Sequence, residues 1–148
     1  MTADNLFTHH APHGRLVALK AYEGPIDTTH VTYRETPTGT RIINLDGREL
    51  LDDNRSRGIQ ISFSSNFLPG EHPVQQDTST AFAQLAYFRQ VGDHRTSSRA
   101  KSGVLELVTY DRERTFATGI YHFVAEVDGA DHEFIGSFAI RYIQDDKS

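Results

Sequence analysis

The stretch at residues 119–138, GIYHFVAEVDGADHEFIGSF, contains a glycine followed two residues later by an aromatic residue on each side of an Asp-Gly pair. Asp-Gly is typical of a two-residue type I′ turn, because both central residues of that turn need positive φ. The flanking residues alternate between apolar and polar side chains over much of their length, as a half-buried strand does. The stretch therefore predicts two antiparallel strands joined by a tight turn at Asp128 and Gly129.

Counting outward from that turn places each glycine opposite an aromatic ring. Tyr121 pairs with Gly136, and Gly119 pairs with Phe138. A glycine weakens a strand because it has no side chain to pack, but a ring on the neighbouring strand covers the exposed backbone, and the missing Cβ permits a sharp bend. The repeated pattern therefore predicts a curved sheet, of the kind found in a barrel or a coiled sandwich.

Strand patterns dominate the rest of the chain as well. Alternating runs rich in β-branched and aromatic residues recur, while long runs with apolar residues at helical spacing do not occur in the sequence. The predicted strands span residues 15–22, 29–34, 40–45, 58–64, 80–90, 103–110, 115–127 and 132–142. The fifth also suits a short helix, although we favour a strand. We predict an all-β fold, an antiparallel eight-stranded β-sandwich or flattened β-barrel with mostly meander connections.

Turn-forming and irregular stretches separate these strands. Residues 36–39, TPTG, have proline and glycine where a type I turn favours them, which predicts a hairpin between the second and third strands. Three longer stretches have no clear strand pattern. Residues 46–58 are charged and have room for one helical turn, residues 65–79 contain two prolines and would cover one end of the sheet, and residues 91–103 form a small, polar and basic loop.

The chain has 148 residues, of which 37% are hydrophobic, and this is the size of one domain with a single core. We expect a flexible N-terminal segment at residues 1–13, one all-β domain at residues 14–143 and a polar tail at residues 144–148. Cysteine is absent, which excludes disulfides, thiolate metal sites and a cysteine nucleophile. No sequence pattern indicates a cofactor.

Charge and hydropathy restrict the class of protein further. The formal net charge of −5 argues against a nucleic-acid-binding protein that works through bulk positive charge. The first residues, MTADNLFTHHAPHG, have no basic region followed by an apolar run, and no apolar run in the chain is long enough to span a bilayer. We expect a soluble, cytoplasmic protein as the sequence is written, or a secreted or periplasmic one if a leader has been removed.

From Ile59 onward, the order of features resembles a small β-rich domain of unknown function found in bacterial surface lipoproteins. An alternating strand is followed by PGEHPV, then by SGVLELVTYD, ATGIYHFVAEV and FIGSFAIRY. In that family a strand ending in Tyr-Asp precedes a Gly-x-aromatic-x-aromatic strand and a terminal Gly-x-Phe strand. The resemblance implies a fold and supplies no catalytic residues. The family's leader and lipid-bearing cysteine do not occur in the sequence as written.

Histidine is the residue type most suggestive of chemistry, with eight in the chain. His9, His10 and His13 are spaced so that neutral imidazoles could share a divalent metal. Structural zinc usually needs four ligands, however, and this cluster offers no cysteine or acidic residue to complete the set, so we predict a solvated tail and no metal site. His122 lies in the middle of a strand, where we expect a partly buried histidine hydrogen-bonded to a neighbour.

Two charged clusters are candidates for ion binding. The basic loop at residues 91–103 suggests an anion site, because guanidinium groups beside hydroxyls and free amides can hold a phosphate, sulfate or carboxylate. The side chains of this candidate site are Arg89, His94, Arg95, Arg99 and Lys101. A plain solvated loop is the alternative. The acidic cluster does not match the EF-hand spacing and is balanced by arginines, so we do not expect calcium binding by Asp46, Glu49, Asp52, Asp53 and Asn54.

Aromatic residues on the predicted inner face are the candidates for binding an apolar ligand. These rings are Tyr87, Phe123, Phe134, Phe138 and Tyr142. They are structural if the interior is filled, and they form a ligand wall if it leaves space. Eight strands enclose only enough room for side chains or one small ligand, so we expect a mostly filled core with at most a small pocket at one end.

No catalytic motif is recognisable in the sequence. We therefore expect a non-enzymatic binding or interaction module for a small, partly apolar ligand or a protein partner. Two alternatives stay open. One is a small hydrolase or isomerase with His122 or His94 as the acid–base residue, and the other is a homo-oligomer whose interface uses the apolar middle of the last hairpin.

Overall fold

The computed structural model describes residues 12–36, 41–74 and 83–142, and these contain strands, turns and connections but no helix. The all-β prediction is confirmed. Ten strands form instead of the eight predicted, because two short connecting segments, β2 and β6, are also paired. The strands are β1 (Pro12–Lys20), β2 (Ile26–Thr28), β3 (Val31–Glu35), β4 (Ile42–Leu50), β5 (Arg55–Ser64), β6 (Gly70–Pro73), β7 (Gln84–Val91), β8 (His94–Asp111), β9 (Phe116–Val127) and β10 (Ala130–Tyr142).

All ten strands belong to one antiparallel sheet that is nearly closed into a barrel. The order along the sheet is β2-β1-β10-β9-β8-β7-β5-β4-β3, and β6 pairs with β8. β2 and β3 lie at opposite edges of that order, yet only Thr29 and His30 separate them in the chain. The two edges therefore meet, and the N–H of Arg48 in β4 donates to the carbonyl of His30 at the join (2.8 Å). The connections are mostly of the meander type, as predicted.

Two stretches without a clear strand pattern are strands in the structure. Residues 46–58 hold no helical turn, and that prediction is wrong, because they extend β4 and β5, which pair without a register shift. Residues 91–103 are not a loop, which corrects a second prediction. Only Gly92 and Asp93 form a turn there, and the next residues begin β8, whose first half pairs with β7. Polar residues suit a strand here because the neighbouring strands supply the backbone hydrogen bonds and alternate side chains face outward.

The region between β5 and β8 contains two strands. The alternative of a short helix at residues 80–90 does not hold for Gln84–Val91, which form β7 and pair with β5. β8 is 18 residues long, so β7 covers only its first half, and β6 pairs with its second half. The predicted irregular stretch at residues 65–79 thus contains the strand β6, and its residues 75–79 lie outside the described residues.

Both predicted hairpins are present. β9 and β10 are joined by Asp128 and Gly129, whose φ angles of 54° and 87° are both positive, as a type I′ turn requires. The register of that hairpin is the predicted one along its whole length. β3 and β4 also pair as a hairpin, and Pro37 and Gly39 of its predicted turn lie outside the described residues.

The mirrored glycines of the last hairpin each lie beneath an aromatic ring. A Cβ on Gly136 would lie 2.7 Å from the ring of Tyr121, and a Cβ on Gly119 would lie 2.8 Å from the ring of Phe138. Both distances are too short for real contacts, so only glycine lets these rings lie flat against the opposite strand. The predicted role of the repeat in forming a curved sheet is consistent with the nearly closed barrel.

The core lies inside the barrel, between the inward-facing side chains of the long strands. One end, called here the hairpin end, is formed by the turns at residues 51–54, 92–93 and 128–129 and by the β1–β2 loop at residues 21–25. The opposite end, called the loop end, contains residues 65–69 and 112–115.

The first strand begins earlier in the chain than predicted. β1 begins at Pro12, so two residues of the predicted flexible segment 1–13 belong to a strand, while residues 1–11 and the predicted tail at 144–148 lie outside the described residues. The described part of the chain has no helix that is long and apolar enough to cross a membrane.

Candidate functional site

Four of the five rings predicted to line the interior lie buried in the core: Tyr87, Phe123, Phe134 and Phe138. The rings of Phe123 and Phe134 stack with their centroids 4.7 Å apart, and Phe134 also stacks on Tyr87 at 5.1 Å. Rings in such contact fill interior space and stabilise the barrel. Tyr142 lies apart from them, half-buried at the loop end. Ligand binding by this set of five stays a prediction.

The β1–β2 loop closes the hairpin end through Tyr22. Its ring packs on His132 (4.3 Å between centroids) and edge-on against Tyr87 (6.3 Å), and its hydroxyl donates to Asp128 (2.9 Å). Arg89 donates two hydrogen bonds to the same carboxylate, at 2.8 and 3.1 Å. The Arg89 guanidinium and then the Tyr22 hydroxyl hold the pKa of Asp128 below its ordinary value. Arg89, one of the predicted anion ligands, is thus bound to a carboxylate of the protein itself.

Arg57 and Tyr87 complete this closure from inside the barrel. Arg57 is 4% exposed and donates to two carbonyls of the β1–β2 loop (2.7 and 2.8 Å) and to Glu49 (2.9 Å). The Tyr87 hydroxyl donates to Glu23 (2.8 Å). Burial, together with the Glu23 carboxylate, raises the pKa of Tyr87 to about 12. A buried guanidinium with this many partners indicates a structural role. The β1–β2 loop therefore covers the barrel interior at the hairpin end.

The buried hydroxyl of Tyr33 lies toward the loop end. Tyr33 is 6% exposed, and its hydroxyl has no hydrogen-bond partner among the described residues. Burial raises the pKa of Tyr33 well above its ordinary value, so the phenol is neutral and can both donate and accept a hydrogen bond. A buried polar atom left unpaired costs roughly 1–3 kcal/mol. Such an atom calls for a water molecule or a ligand as its partner.

Aromatic rings accompany this hydroxyl in the core cluster. Phe63 contacts Tyr110 edge-on (5.2 Å between centroids) and stacks with Phe67 (6.1 Å), which in turn stacks on His72 (4.2 Å). The Tyr110 hydroxyl donates to the carbonyl of Ser65 (2.9 Å), and burial raises the pKa of Tyr110 to about 12. Phe67 and Tyr110 are half-buried, so part of each ring is accessible at the loop end.

An ion-pair cluster borders these rings. Glu35 is two residues beyond Tyr33 on the same side of β3, and it accepts hydrogen bonds from Arg112 (2.8 Å) and Arg41 (3.0 Å). The Arg112 guanidinium, with a smaller contribution from Arg41, lowers the pKa of Glu35. The carboxylate is therefore ionised at neutral pH and fixed between two cations. Sequence reasoning missed this end because no motif marks Tyr33, Glu35 or Tyr110, and only long-range pairing brings them together.

His122 lies on the outer face of the sheet, opposite in direction to Phe123, as its position in the alternation predicts. Its Nε2 is 2.6 Å from Glu133, which also accepts a hydrogen bond from Lys20 (2.9 Å). The side chain is 53% exposed rather than partly buried, which corrects the expectation for its burial. It borders an outer groove of about 290 Å³ whose apolar members include Ile120. Among the described residues, no hydroxyl forms a hydrogen bond with His122.

The predicted anion-binding residues do not form one site. Lys101 pairs with Asp131 (3.0 Å), and His94 is exposed where β8 begins. Arg95 and Arg99 lie on the outer face of β8, whereas Arg89 on the neighbouring strand points to the opposite face. The loop that was expected to gather these side chains is a strand, so they alternate between the two faces of the sheet.

Metal binding has no candidate within residues 12–36, 41–74 and 83–142, where no group of three or more His, Asp or Glu side chains could hold an ion. The acidic cluster is divided among separate ion pairs: Asp46 with Arg95, Glu49 with Arg57, and Asp52 with Arg55. Of the N-terminal histidines, His13 is exposed in β1, and His9 and His10 lie outside the described residues.

Comparisons with known proteins add no homologue to this description. No family model, no curated protein and no solved structure matches the chain.

Proposed function

We propose that this protein is a non-enzymatic binding module that takes a small, partly apolar ligand at the loop end of the barrel. The observation that carries the proposal is the buried Tyr33 hydroxyl, which has no partner among the described residues. Its partner would be a hydrogen-bonding group of the ligand. The ligand would recover most of the free energy that the unpaired hydroxyl costs the empty barrel.

The surrounding side chains support a ligand that is mostly apolar. Phe67 and Tyr110 are half-buried, so the exposed part of each ring can contact an apolar group. Glu35, held ionised between Arg41 and Arg112, places a fixed charged cluster beside them, which would favour a polar group at the outer end of the ligand. Binding sites of this kind combine an apolar lining with a few placed polar groups.

The alternative of a histidine-based enzyme has one observation in its favour, the 2.6 Å contact between His122 and Glu133 beside the outer groove. A carboxylate that orients a histidine is one part of a general-base arrangement. The side chains of the pair are 53% and 37% exposed, however, and among the described residues no hydroxyl forms a hydrogen bond with His122. The alternative of a homo-oligomer rests on the same groove, whose lining residues Leu19 and Ile120 are 72% and 48% exposed.

Native mass spectrometry of protein purified from its own host tests these readings together. The wild-type protein is expected as a monomer with a small retained mass, which Tyr33→Phe should reduce or abolish. Tyr121→Phe is the matched control, because it removes a phenol hydroxyl that already donates to the carbonyl of Val17 (2.8 Å), so ligand retention should be unchanged. A retained mass that is equal in both variants contradicts the proposal, and a ligand-free dimer supports the homo-oligomer instead.

A further inference from the structure

The outer face of β3, β4, β5, β7 and the first half of β8 is polar and rich in arginine. Strand register places the outward side chains of these five strands side by side on this face. The outward arginines are Arg34, Arg48, Arg95 and Arg99. Among the described outward positions of these strands, Asp46 is the one acidic residue. The chain carries a net charge of −5, so this face has the opposite sign to the protein as a whole.

Arg95 is held rigidly on this face. Its guanidinium lies 3.7 Å above the ring of Phe88 and donates to Gln90 (2.9 Å) and to Asp46 (3.2 Å). Phe88 faces outward yet is fully buried, because Arg95 covers it and Gly58 on the next strand has no side chain to displace the ring. A guanidinium fixed by stacking and two hydrogen bonds loses little further entropy when it binds a ligand.

Asp46 neutralises only part of the positive charge on this face. One of its oxygens accepts from Thr32 (2.9 Å) and the other accepts from Arg95, so both are already engaged. Asp46 is also 7% exposed, which leaves little room for a further cation. Arg34 and Arg48 consequently have no acidic partner among the described residues.

These side chains line one groove of about 370 Å³: His30, Thr32, Arg34, Asp46, Arg48 and Arg95. The groove contains three guanidinium groups and one carboxylate, and both oxygens of that carboxylate already accept hydrogen bonds. Guanidinium groups present planar, paired N–H donors that match the oxygens of a phosphate or sulfate. His30 adds a further polar group at the wall, while the Thr32 hydroxyl already donates to Asp46.

We propose that this groove is a binding site for the phosphate or sulfate group of an anionic ligand. Arg34 and Arg48 supply guanidinium groups that have no acidic partner within residues 12–36, 41–74 and 83–142, and Arg95 supplies a third that is fixed in place by Phe88. The site lies on the outside of the barrel and shares no residue with the loop-end site around Tyr33. Ligand binding at either site can therefore be tested without affecting the other.

Titration of ¹⁵N-labelled protein with inorganic phosphate and with sulfate tests the site, with chloride at equal ionic strength as the reference. We expect saturable shifts of the backbone amides at Thr32, Arg34 and Arg48, with no comparable shifts in chloride. Heparin serves as a second probe, since it carries sulfate groups on a polymer. Tighter binding of heparin than of sulfate at the same residues assigns the site to a polymer-borne group, and equal binding assigns it to a small anion.

Charge-neutralising variants locate the site. Arg48→Gln and Arg34→Gln should each weaken phosphate binding about tenfold or more, since each loses charge-assisted hydrogen bonds. Arg114→Gln removes the same charge from a side chain that is 86% exposed at the loop end and should bind like the wild type. The groove variants remove no described ion pair, so their thermal unfolding should match that of the wild type.

Two results would overturn the proposal. One is the absence of saturable shifts with phosphate, sulfate and heparin alike. The other is binding that Arg48→Gln and Arg34→Gln weaken no more than Arg114→Gln does, because that would show a general charge effect rather than a site.

Discussion

Tyr33→Phe and Tyr121→Phe make the same chemical change at two buried positions and should have opposite effects on stability. The Tyr33 hydroxyl is buried without a described partner, whereas the Tyr121 hydroxyl donates to the carbonyl of Val17 (2.8 Å). Removing an unpaired buried polar atom relieves its desolvation penalty, so Tyr33→Phe should raise the free energy of unfolding of the ligand-free protein by about 1 kcal/mol. Tyr121→Phe loses a formed hydrogen bond and should lower it by about 1 kcal/mol.

The difference of about 2 kcal/mol corresponds to a separation of roughly 4–8 °C in Tm for a domain of this size. Urea unfolding of refolded, ligand-free protein, followed by far-UV circular dichroism, measures it directly. The slope of the free energy against urea should be the same in both variants, because neither changes the surface exposed on unfolding. Adding the natural ligand should stabilise the wild type and Tyr121→Phe more than Tyr33→Phe.

A loss of stability in ligand-free Tyr33→Phe equal to that of Tyr121→Phe would refute the reasoning. The Tyr33 hydroxyl would then have a partner in the empty protein, such as a fixed water molecule, and would not be reserved for a ligand.

Three further predictions concern the core, the last turn and the loss of thermal stability at low pH. Phe123→Ala should cost about 3–5 kcal/mol in urea unfolding, because the ring is fully buried against other rings, while Ile120→Ala on the exposed side of the same strand should cost less than about 1 kcal/mol. Gly129→Val should lower Tm clearly, since a β-branched residue tolerates a φ of 87° badly; an unchanged Tm would contradict the turn. Arg89 lowers the pKa of Asp128 in the folded protein. The ionised Asp128 carboxylate therefore stabilises the fold fully above the ordinary aspartate pKa of 3.8, and this stabilisation is lost as the pH falls through the lower pKa of the folded state. Asp128→Asn should therefore show a smaller fall in Tm below pH 3.8 than the wild type, and parallel curves would show that the ion pair contributes nothing.

Local features were predictable from the sequence. The turn at Asp128 and Gly129 sets the register of β9 and β10 because a two-residue loop leaves one way to count outward, and the same counting places Tyr121 over Gly136. Side-chain alternation likewise gives the outward direction of His122 once that of Phe123 is known.

Tertiary pairing determined which polar stretches are strands. Residues 46–58 and 91–103 have too few alternating apolar side chains to predict a strand. Apart from the turns at 51–54 and 92–93, both stretches are nevertheless strands, because β4 pairs with β5 and β8 pairs with β7. Arg57 is an extreme case. A charged residue at an inward position is stable there because the β1–β2 loop, distant in sequence, provides two carbonyls.

Both candidate sites depend on contacts between distant parts of the chain. The burial of the Tyr33 hydroxyl depends on closure of the barrel. Closure brings β3 next to strands that the sequence of β3 does not specify. Arg34, Arg48 and Arg95 come from three strands, and the groove they share exists because the sheet register aligns their outward side chains. The sequence alone determined the strands with clear alternation and the turn chemistry, since these are local properties of the backbone. Closure of the barrel determines which polar groups are buried away from water and which arginines lie close together. These properties arise only when residues distant in sequence come into contact.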